Sequence, residues 1–137
     1  MRFATLILLL TGISLAQPAV NPLVGTWHII TEPKYPQGLL IFSPDGFYAQ
    51  VTIAPGRSKL KNDFDHRTRE ELMKQFGGLR ASYGSWKTDA TKLLRTCTAS
   101  EDPAREGTET TADFRIEGDT LILNPNGQHP SRFRRMK

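Results

Sequence analysis

One cysteine, Cys97, is present in 137 residues. A lone thiol forms no internal disulfide, so the fold has to stand on its core in any redox compartment. The simplest reading of Cys97 is a small buried hydrophobe, with a nucleophile or a dimer bridge as alternatives. Histidine is sparse too. His28, His66 and His129 are scattered, no two have the spacing of metal ligands, and no serine sits on a nucleophile elbow. No catalytic residue, metal ligand or cofactor is therefore assigned. Internal repeats and low-complexity linkers are missing. So is the run of ~20 apolar residues that a spanning helix requires, which argues against stable membrane insertion. Charge of one sign is also in short supply: 18 Lys and Arg stand against 14 Asp and Glu, for a net +4. That excess is too small for a nucleic-acid footprint. The one basic cluster, Arg132, Arg134, Arg135 and Lys137, reads as the solvated face of a last strand.

What the chain does have begins with a leader. Arg2 supplies a positive start, residues 3–13 an apolar stretch, and Ser14-Leu15-Ala16 a small-x-small cleavage site. The pattern predicts a signal peptide over residues 1–16, cleaved near Ala16, and export to the periplasm or the extracellular space. No cysteine lies near the expected cut, so the pattern of a lipid anchor is lacking. The leader holds Arg2 and no acid, so its removal leaves +3. Residues 17–22 form a short Pro-containing tether, and residues 23–137 have room for one domain with one core.

Period-two runs dominate that domain. Residues 24–31 read as a first strand, followed by residues 38–42 and the turn Ser43-Pro44-Asp45-Gly46. Phe47, Ala49, Val51 and Ile53 then alternate with Tyr48, Gln50 and Thr52, the clearest half-buried strand pattern in the chain. Thr68-Arg69-Glu70-Glu71 is a capping box opening a short helix with Leu72, Met73 and Phe76 on its apolar stripe, stopped at Gly77-Gly78. Further strands are expected over 82–88, 93–99, 108–117, 120–124 and 130–136, with Gly118-Asp119 making a tight hairpin. The pattern is eight short strands and one short helix, spaced as in an all-β meandering barrel.

The segments Leu23-Val24-Gly25-Thr26-Trp27, Gly38-Leu39-Leu40-Ile41-Phe42-Ser43-Pro44-Asp45-Gly46, Tyr83-Gly84-Ser85-Trp86, residues 114–121 and Phe133-Arg134-Arg135 occur in that order and cover most of the domain. Gly25-x-Trp27 resembles the lipocalin signature, and the ordered set resembles the bacterial lipocalin-like domain family. The resemblance implies an eight-stranded antiparallel up-and-down β-barrel with Trp27 plugging one end. It also implies an arginine of the last strand packed over the indole, Arg135 in preference to Arg134. Ala112 stands where the family often carries an arginine, and Phe133 where a tryptophan is common, so no polar ligand contact is carried over.

Burying a tryptophan covers ~150–250 Å², worth roughly 4–6 kcal/mol at ~25 cal/mol per Å². Trp27 is thus first a structural plug. An eight-stranded barrel either fills itself or holds one small ligand. If Trp27 points inward, so do Ile29 and Thr31, while His28 points out. The apolar set Phe47, Ala49, Val51 and Ile53, with Phe114 and Ile116, is expected to line the cavity. Met73 and Phe76 on the helix are expected to form either the underside of a lid or a permanent cap, and Tyr83 to offer a polar tip. Together these predict carriage or sequestration of a small hydrophobic or amphipathic molecule. An isomerase or cyclase acting on a bound molecule, or a filled barrel used as a protein-interaction module, are the alternatives.

Overall fold

The computed structural model describes residues 19–30, 37–57, 66–125, 127 and 129–137. The strands are β1 (Gly25–Ile29), β2 (Gln37–Phe42), β3 (Phe47–Ile53), β4 (Leu79–Asp89), β5 (Lys92–Ser100), β6 (Glu109–Glu117), β7 (Thr120–Pro125) and β8 (Ser131–Arg135). Each pairs antiparallel with its neighbour in the chain, and β8 returns to pair with β1, closing the barrel. Closure leaves no unpaired sheet edge. Among the described residues one α-helix, α1 (Arg69–Phe76), lies between β3 and β4, and a 3-10 turn (Pro103–Arg105) follows β5. The turn falls between the strands expected over 93–99 and 108–117. Thr31 lies outside the described residues.

The helix starts where the capping box puts it. Thr68 Oγ1 accepts from the Glu71 amide at 3.2 Å, and the Glu71 carboxylate accepts from the Thr68 amide at 2.8 Å. Reciprocal capping satisfies two of the orphan donors at a helix start. Gly77 ends it, its N–H donating to the Met73 carbonyl. No residue of α1 is buried.

One end of the barrel is packed solid. Leu23, Trp27, Leu40, Phe42, Leu93 and Leu121 are wholly or almost wholly buried there, and the Phe42 and Trp86 rings meet at 4.9 Å, tilted by 58°. The indole N–H of Trp27 donates to the Leu23 carbonyl at 2.8 Å, so its polar handle is satisfied inside the core. Arg135 lies over the same ring with its guanidinium carbon 4.1 Å from the centroid. Its Nη1 donates to the Val24 carbonyl at 2.9 Å, and Nη2 donates to that of Pro22. Gly25 makes this arrangement possible. Its φ is +137°, and a Cβ there would stand 2.7 Å from Arg135 Nη1. The arginine expected over the tryptophan is present, and it is the guanidinium that the glycine admits.

The inward and outward faces of β3 are the reverse of those its apolar pattern predicts. Tyr48 and Thr52 are buried, whereas Phe47 is 62% exposed and Val51 41%. Register explains the inversion. Residues directly opposite on paired strands share a face. Inward Trp27 pairs with Leu40, Leu40 with Gln50, and Gln50 with Ser82. The even positions of β3 therefore have to face the interior whatever their polarity. A bulge between β4 and β5, where Tyr83 pairs with Ala99 and Gly84 with Cys97, leaves Thr98 without an opposite number. Gly84 is required there, because a Cβ would come within 1.9 Å of the Thr96 carbonyl oxygen.

Candidate functional site

At the end away from Trp27 the barrel is hollow. A cavity of about 220 Å³ is lined by Ile29 and Phe133 on one side and by Gln50, Thr52, Ser82 and Arg95 on the other, with Arg80, Ala81, Arg105 and Ser131 also contributing to its walls. Its two sides differ in chemistry because different strands supply them. Ile29 and Phe133 are register partners on β1 and β8. Gln50 and Ser82 are partners on β3 and β4. The cavity thus has an apolar wall facing a hydrogen-bonding one.

Arg95 is the distinctive group of the polar wall. It shares the inward side of β5 with Leu93 and Cys97, both buried, and is itself half-buried. Its Nη1 donates to Gln50 Oε1 at 2.9 Å, and its guanidinium carbon stands 5.3 Å from the centroid of the Tyr48 ring. Burial pushes the pKa of this guanidinium down; neighbouring Tyr48 and Cys97 oppose that shift and Arg105 adds to it. An arginine nevertheless keeps its charge at neutral pH. Tyr48 occupies the next inward position of β3 toward the packed end. Burial raises its pKa first of all, partly offset by a hydrogen bond with Ser82 and by the Arg95 charge. Its phenol therefore stays protonated and neutral beside the polar wall.

The rim is charged as well. Glu101 lies 3.5 Å from Arg80 Nη1 and 3.7 Å from Arg105 Nη1. Its carboxylate also accepts from the Ala81 amide and the Ser100 hydroxyl, each at 2.9 Å. Burial works against the charge of Glu101, but these hydrogen bonds and Arg105 outweigh it and hold the carboxyl below its usual pKa. Two rim arginines thus share one carboxylate. Among the described residues, no carboxylate forms an ion pair with Arg95.

Of the side chains expected from sequence to line the cavity, Ile29 does so. Phe114 and Ile116 are half-buried and pack against the solid core instead. Phe47, Ala49, Val51 and Tyr83 lie on the outside of the barrel, for the register reason given above. Ile53 is half-buried at the end of β3, paired with Leu79. Met73 and Phe76 are 67% and 48% exposed and are not among the described residues that line the cavity. Trp86 is core, its indole N–H donating to the Ser43 carbonyl at 3.1 Å. Cys97 is buried and unbridged.

The pattern of β3 hides the polar wall, because its apolar set reads as the inward one. A usable signal existed on β5. Leu93, Arg95 and Cys97 recur with period two, so an inward Leu93 and Cys97 bring the arginine in with them. Outside, the displaced apolar residues form a face of their own. Leu39 pairs with Val51, Ile41 with Ala49, Ala49 with Tyr83, and Tyr83 with Ala99. A shallow groove of about 330 Å³ runs across this face between Ala49, Val51, Tyr83 and Ala99.

No protein-family model matches the chain, and no curated protein matches it at a significant level. Among the described residues there is no group of three His, Cys, Asp or Glu side chains placed to hold a metal ion.

Proposed function

We propose that this chain is an exported lipocalin-like barrel that binds one small amphipathic molecule in its open end, for carriage or sequestration. The observation that carries the reading is the two-sided cavity, apolar at Ile29 and Phe133 and polar from Gln50 to Arg95. The guanidinium stacked on Trp27 behind Gly25 supports the lipocalin-like assignment. A volume of about 220 Å³ is below the ~300–1,000 Å³ of most ligand pockets. It corresponds to about seven waters at ~30 Å³ each. A short or compact ligand fits that space, and a long acyl chain does not. Apolar burial supplies the affinity and the polar wall fixes orientation.

Native mass spectrometry of the protein purified from its own host, followed by extraction, tests the reading. A co-purified small molecule, lost when Ile29→Trp fills the cavity of a folded variant, is the expected result. Consistent absence of any adduct, together with no backbone-amide shifts at Gln50 or Ser82 on titration with six-carbon acids and alcohols, would overturn it.

A second reading has its own support. The exposed face built from Leu39, Ile41, Phe47, Val51 and Tyr83 is the kind of contiguous apolar surface that marks interaction sites. It fits a barrel used as a protein-interaction module. Association that is abolished by Phe47→Asp and Tyr83→Asp but unaffected by filling the cavity would favour it.

A further inference from the structure

We infer that the group received by the polar wall is an anion, a single carboxylate that pairs with Arg95 while the apolar body of the ligand lies against Ile29 and Phe133. This rests on the reading of the cavity as a ligand site. It starts from an imbalance of charge. Arg95 extends a guanidinium into the barrel beside the Tyr48 ring and the Gln50 amide, and the nearest charge the structure sets against it is a second cation, Arg105. Gln50 is its hydrogen-bond acceptor among the described residues and takes one of five donors. A partly desolvated cation without a counter-ion is expensive to keep, and an apolar side chain of similar volume would avoid the cost. The ligand's own charge removes it.

Geometry narrows the class. The guanidinium fork is matched by a planar carboxylate through two parallel hydrogen bonds. One interior cation calls for one negative charge, because the rim cations Arg80 and Arg105 already share Glu101. Among the described residues the opposed wall has no polar side chain apart from Ser131, so the rest of the molecule is apolar and short.

The test titrates the purified full-length chain with hexanoate, 1-hexanol and hexyl phosphate and follows backbone-amide shifts at Gln50, Ser82 and Ile29. Hexanoate is expected to bind at least tenfold tighter than hexanol. Arg95→Met should erase that preference while leaving the melting temperature unchanged or raised, since a partly buried cation is removed. Arg95→Lys keeps the charge but not the fork, and should retain only part of the preference; it also decides the matter if the methionine variant does not fold. Equal affinity for hexanol and hexanoate overturns the anion inference and leaves the cavity reading standing. Tighter binding of hexyl phosphate overturns the carboxylate assignment. If none of the three binds, the cavity reading falls and the inference with it.

Discussion

Gly25, Trp27 and Arg135 form a unit whose coupling can be measured with two substitutions and their combination. Arg135→Ala removes the hydrogen bonds to the Val24 and Pro22 carbonyls and the stacking on Trp27. Hydrogen bonds from a charged donor contribute ~1.5–3 kcal/mol when well buried, and the cation–π contact ~0.5–2 kcal/mol. Arg135 is half-buried, so the low ends apply and the expected loss is about 2–4 kcal/mol. Gly25→Ala acts twice. Its φ of +137° strains any L side chain, at ~1–3 kcal/mol. Its Cβ also displaces an arginine nitrogen 2.7 Å away, forfeiting part of the same contacts. In the Arg135→Ala background only the strain remains. The double variant should therefore be less destabilised than the sum of the singles by about 1–2 kcal/mol. Urea unfolding followed by the fluorescence of Trp27 and Trp86 gives all three values. At about 4 °C per kcal/mol for a domain of this size, the shifts are also visible in thermal melts. Strict additivity would show that the glycine does not serve the arginine, and that its φ alone explains its presence.

Other positions give sharper or simpler outcomes. Gly84→Ala should cost about 3 kcal/mol or more, because the clash is with the Thr96 backbone and no rotamer relieves it. Gly118→Ala, where φ is +59° and a Cβ meets nothing within 4 Å, should cost only ~1–2 kcal/mol. A reversed order in denaturant melts would contradict the bulge geometry. Glu101 should make stability pH-dependent on the acid side. Its folded pKa lies below the ordinary carboxyl value. Its contribution is thus complete above the unfolded value of ~4.3 and lost as pH falls through the folded one. The advantage of the wild type over Glu101→Gln should stay under about 1 kcal/mol, given the exposure of its arginine partners, and shrink steadily as pH falls below the unfolded value. An advantage that does not change on acidification would show that the carboxylate charge is not what the rim uses.

Local rules made much of the fold legible. The capping box fixed the first turn of α1 because both of its hydrogen bonds lie within four residues. Gly118-Asp119 set the β6–β7 hairpin through its own backbone preferences. Trp27 pointed inward because its size leaves few other places for it. The pattern of β3 misled, and the reason is physical. Alternation distinguishes two faces of a strand but carries no label for which is inside. A strand with an apolar set and a set of Tyr, Gln and Thr satisfies period two equally well either way.

Eight strands, their meandering order and the position of the helix were thus written in the sequence, since each depends on short-range geometry or on bulk. Arg135 over Trp27 was expected only from the resemblance to lipocalins, because the two lie at opposite ends of the domain's sequence. Which face of β3 looks inward was decided by barrel closure, through the register that links Trp27 to Leu40, Gln50 and Ser82. That one decision turned Val51 and Tyr83 outward and placed Gln50 and Thr52 inside, across the barrel from Ile29 and Phe133. It set the polarity of the cavity, and so the chemistry of what the cavity can hold. No span of neighbouring residues could have determined it, because it is a property of the closed ring of strands.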